Sequence, residues 1–497
     1  MNPWGTIGHL SRKEIRALQN KKLRHFVNTQ LYPFSAYYRN LFDHHGISPR
    51  SIRSVEDLKN IPLTSKTDFV DLEKKVERYR NFILQPDESR IRQYWPAGKK
   101  FRLALGKILR GSGYIRKRLS AEYRPIFVTL TTGTTQFPLS YFYSPYDIRN
   151  LHLSGARMLA LFDCDDSERF VNMFPYAPHL AFWQVVFGGL EGGVMMMSTG
   201  GGKVMGTEGN ILALLKMKPS VILGVPSYVY HVLRIAREKG YRMDFLKKIV
   251  LGAASVSEPF KLKVRSLLES LGAHDVYVLG TYGFTEARQA WAECPAPPGM
   301  TSGYHLYPDK EIFEVIDPNT QEIKGEGEDG ELVYTSVDSR GSAVLRYRTG
   351  DFVKGGITYE PCPFCRRTVP RISSDISRLS DIKNLDLSKI KGQLVNLNNF
   401  SAALNKLPAV EEWQIVIRKK DDDPHEIDEL TVYISADENY DKNKLERDIK
   451  SSILLSTEIS PNRILFVSFD ELIKRLELET ASKEKRIVDL RPEHSSR

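Results

Sequence analysis

Cysteine is scarce in this chain, with four in 497 residues. So few in so long a chain exclude a disulfide framework as the source of stability. Long apolar runs are missing too: none reaches the ~18–20 residues that span a bilayer. The first residues, MNPWGTIGHLSRKEIRAL, lack the apolar core and small-residue cleavage site of a signal peptide. A cytoplasmic protein is therefore expected. There is no zinc-finger helix, no RNA-recognition aromatic motif and no helix-turn-helix signature, so nucleic acid is not the expected partner, although the net charge is +10. No internal repeat and no low-complexity tract is present. What remains is a globular composition, 41% hydrophobic and 27% charged, in a chain long enough for two or more domains. The positive charge is uneven and concentrates between Lys74 and Arg124.

The chain opens helically. Arg12 to His45 carries apolar residues at helical spacing and is broken by Gly46. Ser54-Val-Glu-Asp57 offers a capping box for a short helix. From Ile126 short β-rich runs (Ile126–Leu130, Val221–Leu223, Ile249–Leu251, Val276–Leu279) alternate with helical stretches (Tyr228–Lys239, Pro259–Leu271). That alternation predicts a mostly parallel α/β sheet. Ile312–Ile316 and Glu331–Thr335, separated by a turn-rich stretch, read as antiparallel strands. The last ~120 residues read as a separate small α+β unit. It has strands at Glu412–Ile417, Leu430–Ile434 and Ile464–Ser468, and helices at Asn398–Leu407 and Lys442–Leu455. The boundary is expected near Arg378–Asp381.

Three segments that each follow a strand have the composition of a ligand site. Thr131-Thr-Gly-Thr-Thr135 places hydroxyls and backbone N–H groups where phosphate oxygens can be surrounded. Its plainer reading is a polar turn. Gly280-Thr-Tyr-Gly-Phe-Thr-Glu286 offers an aromatic for stacking and a carboxylate for Mg²⁺, a hard cation that prefers oxygen ligands. A tight turn with a surface glutamate would look the same. Leu345-Arg-Tyr-Arg-Thr-Gly-Asp351 ends on a carboxylate that can accept the two hydroxyls of a ribose; otherwise it is a strand end with solvated arginines. Cys362-x-x-Cys365, in a reduced compartment, points to metal or redox chemistry.

In this order the three segments resemble those of the adenylate-forming superfamily of acyl-CoA synthetases, adenylation domains and luciferases. The finer resemblance is to the phenylacetate–coenzyme A ligase branch. It is carried by Tyr37-Tyr-Arg-Asn-Leu-Phe42 with Leu58 to Lys66, by Gly303-Tyr-His305 with Phe313-Glu-Val-Ile-Asp-Pro318, by Gly330-Glu-Leu-Val333, and by Cys362-Pro-Phe-Cys-Arg366 with Pro370-Arg-Ile372. The resemblance implies a large amino-terminal adenylate-forming α/β domain (residues 1–378) with parallel-rich sheets and a β-rich subdomain. A small mobile α+β domain (residues 379–497) would follow. Residues at about 74–124 form a basic insertion.

The resemblance also implies roles. Thr131, Thr132, Gly133, Thr134 and Thr135 would cradle the phosphates of ATP. Tyr282 and Gly283 would lie near adenine, with Ala253 and Ala254 in the loop under the base. Glu286 would hold Mg²⁺, Thr285 would lie near the α-phosphate, Asp351 would bind the ribose, and Arg378 would stand at the domain boundary with Ser380 and Asp381. Lys483 would meet the carboxylate and α-phosphate, with Lys485 as its rival. Gly392 would approach the thiol channel. His179, Phe182 and Tyr228 are the candidate acyl-pocket residues, with core packing the alternative for each. Relatives of this kind carry zinc, and Cys294, His305, Cys362 and Cys365 are the expected ligands; a metal-free Cys-x-x-Cys turn beside a buried Cys294 is the other reading. Cys164 is expected to be a core thiol.

The implied activity is ATP-dependent activation of a carboxylic acid to an acyl-adenylate, then transfer to a thiol, with coenzyme A as co-substrate. Passing the acyl group to a carrier protein, amine or hydroxyl is the alternative, and a non-catalytic ligase-like binding protein is the third reading. A homodimer is a further expectation. Three positions depart from the family pattern: Gln136 and Phe137 in the phosphate loop, where Gln replaces a Gly, and Ser482 before Lys483. The segment Lys99 to Ser120 mixes apolar residues with many Lys and Arg. It reads either as a solvated helix face or mobile loop, or as a contact with an anionic membrane surface or acidic partner.

Overall fold

The computed structural model describes residues 4–71, 76–111, 113–131, 139–379, 388–390, 393–395, 398–420, 428–437, 440–457, 459–478 and 484–491. The amino-terminal periodicity does form helix, Arg12–Phe26, opened by a capping box in which Ser11 and Glu14 satisfy each other's backbone N–H groups. It does not continue unbroken to His45. A π-helical turn, Val27–Leu31, leads into Tyr32–Phe34, and Ser35 is extended, capping a second helix Ala36–His44. Pro33 accounts for the π-helical turn, because it has no N–H to donate and its ring crowds the preceding turn.

A nine-stranded sheet dominates the large unit. Five strands run parallel, in the spatial order Met195–Ser198, Arg169–Asn172, Val221–Gly224, Lys248–Leu251 and Tyr277–Phe284. Val221–Gly224 and Lys248–Leu251 are buried along their whole length. Strands covered on both faces need apolar residues at every position, which is why they read as continuous runs. The sheet continues antiparallel through Gln289–Ala292, Tyr304–His305, Arg371–Ile372 and Ile357–Thr358. A second, four-stranded antiparallel sheet joins Glu311–Ile316, Gly330–Ser336, Tyr347–Val353 and Ile376–Arg378. One core draws on Trp4 through Ile372; another packs Gly202–Met217, Pro226–Glu238 and Glu258–Ser270 onto the parallel strands.

The small unit has its own core, drawn from Phe400 to Ile459, under a four-stranded sheet ordered Arg463–Phe466, Asp428–Ala436, Val410–Lys419 and Ile487–Asp489. It meets the large unit through a few polar and aromatic contacts. Lys263 Nζ donates to the carbonyl oxygens of Val410 and Glu411, 2.7 Å each. Arg234 pairs with Glu411 at 3.2 Å and lies over the Phe469 ring, on which His231 also stacks. Among the described residues no helix is long and apolar enough to cross a membrane.

The basic stretch is ordered as two helices, Ala97–Arg110 and Gly113–Tyr123. They cross closely at Gly106, where an added Cβ would lie 2.1 Å from the Tyr114 ring. The mobile-loop reading of this segment does not hold.

Candidate functional site

The strand order reverses beside Arg169–Asn172. The chain steps outward to Met195–Ser198, then returns to Val221–Gly224 on the other side. Loops leaving the carboxyl ends of such strands part in opposite directions and open a crevice, the usual ligand position in open α/β sheets. Here Phe174, Val225 and Ala253, just past three strand ends, and Thr281 and Gly283 on a fourth, line a cavity of about 590 Å³. The loop at its floor is tightly packed. Gly252 N–H donates to the Gly224 carbonyl at 3.2 Å, and a Cβ at Gly252 would lie 2.2 Å from Thr281 Oγ1. Ala253 adopts a left-handed φ of 64°, a conformation that costs a non-glycine residue energy and clusters at functional loops.

The lining mixes two kinds of side chain: apolar ones, among them Met158, Phe174, Leu180, Phe182 and Val185, and polar or charged ones, among them Lys66, Thr285, Glu286, Arg348 and Arg378. His179 and Phe182 both line it. His179 is fixed at the amino end of helix Leu180–Gly192 by Nδ1, which lies 3.0 Å from the Leu130 carbonyl. Tyr228 is not among the lining residues. It is buried in the second core, where its hydroxyl accepts from Asn210 Nδ2 at 3.0 Å.

Glu286 lies in the four-residue turn between Tyr277–Phe284 and Gln289–Ala292, whose register pairs Phe284 with Gln289. Tyr347, which lines the cavity too, holds it by donating to Oε1 at 2.8 Å. Burial first, and then the Glu286 carboxylate, pushes the Tyr347 phenol far above its ordinary pKa, so it stays a donor. Asp351 is buried beside the lining residue Gly350 and is engaged by the Tyr282 hydroxyl at 2.8 Å and by Arg378 Nε at 3.2 Å. Asp351 in turn pushes the Arg378 guanidinium above its ordinary pKa. The Tyr282 ring stacks on Trp291, with ring centroids 5.7 Å apart. The arginines of the Arg-Tyr-Arg-Thr-Gly-Asp segment are not solvated: Arg346 pairs with Glu314 inside the protein and Arg348 with Glu331.

Thr131 closes the root of the Thr/Gly segment, its Oγ1 accepting from Leu139 N–H at 2.9 Å. Thr132, Gly133, Thr134, Thr135, Gln136 and Phe137 lie outside the described residues, as do Ser380, Asp381, Gly392, Ser482 and Lys483. Lys485 is described. It is exposed on the small unit, ion-paired to Glu477 at 2.6 Å, and does not line the cavity.

Sequence reasoning missed Lys66 and Tyr347 as rim residues. Both arrive through one long-range pairing: Thr64 N–H donates to the Arg346 carbonyl at 2.9 Å, and Arg348 N–H to the Thr64 carbonyl at 2.8 Å. Burial lowers the Lys66 ammonium pKa, with Glu286 opposing the shift. The only sequence signal was the Ser65…Asp68 capping box that starts the short helix Lys66–Phe69.

A second constellation lies away from the cavity. Cys294, His305, Cys362 and Cys365 bring their ligand atoms within 4.8 Å of one another. Cys294 Sγ is 3.7 Å from Cys362 Sγ, and Cys365 Sγ is 3.2 Å from His305 Nε2. Tetrahedral bonds of zinc length to sulfur and nitrogen imply ligand spacings of roughly 3.3–3.8 Å, so the donor set fits that ion. His305 Nδ1 lies 3.3 Å from the Ala292 carbonyl, the contact that orients a ligating imidazole with Nε2 toward the thiols. Cys164 is separate; burial pushes its thiol up to about 12, as suits an inert core group.

Residues 86–339 match the family of AMP-binding enzymes. Over 421 residues the chain is 27% identical to a phenylacetate–coenzyme A ligase of Thermus thermophilus, covering 83% of this chain and 80% of that one. It is 25% identical over 504 residues to a phenylacetate–coenzyme A ligase of Aromatoleum evansii, covering 98% and 97%. A 2-hydroxyisobutyryl-CoA ligase in the post-adenylation state shares the fold, with a TM-score of 0.74 at 18% identity over 98% of this chain and 92% of the other. With a switch-point cavity, a carboxylate in its lining and more than half of the sequence inside the matched region, this chain belongs to the AMP-binding enzyme family.

Proposed function

We propose that this protein activates a carboxylic acid with ATP and transfers the acyl group to the thiol of coenzyme A. The observation that carries the reading is one switch-point cavity lined both by apolar side chains such as Phe182 and by charged ones such as Glu286, Lys66 and Arg378. A carboxylic acid with an apolar body fits the first and a nucleotide triphosphate the second. An acid oxygen attacks the α-phosphorus, the bond to the bridging oxygen of the β-phosphate breaks, and pyrophosphate leaves. The thiolate of coenzyme A then attacks the acyl carbon and AMP leaves. The named activity of the relatives supports an aryl or acyl substrate of this kind.

The first step gathers negative charge around one phosphorus, so positioning and charge neutralisation do most of the work. Mg²⁺, when bound, would neutralise phosphate oxygens, and Glu286 is the residue to hold it. Tyr347, by donating to one Glu286 oxygen, orients the carboxylate. Thr285 would lie beside the α-phosphate, with Thr131, Thr132, Gly133, Thr134 and Thr135 around the phosphates. Ala253, Ala254, Tyr282 and Gly283 would form the base site. Asp351, pre-oriented by Tyr282 and Arg378, would accept ribose hydroxyls. His179 and Phe182 would border the acyl group. Lys483 would bridge carboxylate and α-phosphate, and Gly392 would serve the thiol step from the small domain, residues 379–497. Zinc on Cys294, His305, Cys362 and Cys365 would act structurally, clamping strand Tyr304–His305 to the 362–365 turn.

ATP–pyrophosphate exchange across a panel of carboxylic acids, with and without coenzyme A, tests the reading. An acid that drives exchange and yields a thioester only when coenzyme A is present is expected. Failure of every acid, with no ATP binding by calorimetry, would overturn activation. Exchange without thioester would overturn coenzyme A as acceptor and leave activation standing.

A further inference from the structure

Helix Ala97–Arg110 has its apolar face on the outside. Phe101, Leu105, Ile108 and Leu109 follow the i, i+4, i+7, i+8 spacing of one helical face, and they are 68%, 42%, 80% and 71% exposed. None of the helix is buried. This is not a helix hanging free. Its opposite face is anchored by Leu103 against the main core, by Lys99 Nζ 3.6 Å above the Trp95 ring, and by the tight crossing of Gly106 on Tyr114. A helix held by Lys99, Leu103 and Gly106 while presenting Phe101, Leu105, Ile108 and Leu109 to water keeps most of its apolar surface exposed, unless something covers that face.

Charge says what covers it. Residues 97–124 hold nine Lys and Arg and a single acidic residue, Glu122, so eight of the chain's ten net positive charges sit in 28 residues. Glu122 is committed to Arg340 at 2.8 Å. Around the helix, the 3.6-residue turn puts Arg102 on one border of the apolar face and Lys100 and Lys107 on the other. Arg116, Lys117 and Arg118 on the next helix are exposed as well. An apolar strip bordered by cations on a surface helix is the arrangement that lies in the plane of a bilayer, with the apolar side chains in the acyl boundary and the cations at lipid phosphates. Nucleic acid would use the charge but leave four bulky apolar side chains in water. A second copy would bring two strongly cationic segments together.

We propose that the outward face of Ala97–Arg110 docks this protein on the surface of an anionic lipid bilayer. The inference is independent of the reaction in the cavity, because none of these side chains lines it.

Co-sedimentation of the full chain with vesicles of phosphatidylcholine alone, and of phosphatidylcholine mixed with phosphatidylserine, tests it. The protein is expected to partition at least about tenfold more strongly onto the anionic vesicles. The triple variant Phe101→Ser, Ile108→Ser, Leu109→Ser should lose that gain while keeping its melting temperature, because all three side chains are exposed. Arg102→Glu with Lys107→Glu should lose it too. Equal retention by the two vesicle types would overturn the proposal. So would anionic binding that the triple variant leaves unchanged, since contact would then be by charge alone. Self-association of the wild-type chain without lipid, abolished by the triple variant, would assign the face to a second copy instead.

Discussion

The cavity rim and the Cys/His cluster are both made of ionisable side chains drawn from distant parts of the chain, yet they are built in opposite senses. In the cluster, four ligand atoms face one another within 4.8 Å. There is no space between them for a molecule, only for a cation. At the rim, Glu286 is held by its neighbour Tyr347 and borders an open volume. Groups that face each other hold a structure together, whereas groups that face space hold a ligand. The cluster should therefore respond to damage through stability, and the rim through activity.

Four perturbations would sharpen or break that contrast. The largest effect is expected at the cluster: Cys362→Ser, or removal of metal by a strong chelator, should destabilise the large unit by roughly 4 kcal/mol or more, read as a lower melting temperature. An unchanged melting temperature after either would remove the structural role. Next, Glu286→Gln should slow ATP–pyrophosphate exchange by about a hundredfold or more, with the melting temperature nearly constant. A large loss of stability with exchange intact would reverse the assignment of the two regions. Asp351→Asn should be milder, raising KM for ATP by about tenfold, because Tyr282 and Arg378 still hold the side chain and one acceptor oxygen remains.

The smallest effect should lie at the contact between the units, which belongs to neither region. Burial lowers Lys263 from 10.5 to about 8, with Glu412 next in influence and opposing the shift. The docked state therefore binds fewer protons than the undocked one between pH 8 and 10.5. The contact gains stability as pH rises through that window and pays the desolvation penalty in full below it. Urea unfolding between about pH 7.5 and 8.5, around the lower edge of that window, should show this rise in the wild type and its loss in Lys263→Met, a difference of about 1 kcal/mol or less. Identical pH profiles for the two proteins would show that Lys263 is charged in the docked state throughout.

Much of the fold was legible because its signals are local. The buried strands Val221–Gly224 and Lys248–Leu251 read as apolar runs, and the helices between them showed their periodicity within a dozen residues. Arg169–Asn172 and Met195–Ser198 were not read, since Arg-Phe-Val-Asn has only two apolar residues in its length and Met-Met-Met-Ser has neither alternation nor β-branched residues. The rim was legible only in part. Glu286 and Asp351 stand in recognisable segments, but Lys66 is placed by a backbone pairing with residues some 280 positions away, and no local pattern carries that information.

The sequence by itself determined most of the element types and the order of the three ligand-site segments, because each depends on residue identity and short spacing; the Cys/His set, whose members lie far apart in the chain, was named through the family resemblance. Only the tertiary structure decided which of those residues share a cavity. It set Tyr228 into the second core and Phe182 into the lining, it bound Asp351 to Arg378 and Tyr282, and it turned the apolar face of Ala97–Arg110 outward. The reason is physical. Side-chain periodicity says that a face is apolar, but which neighbour buries it, or whether any does, depends on contacts between segments far apart in the chain.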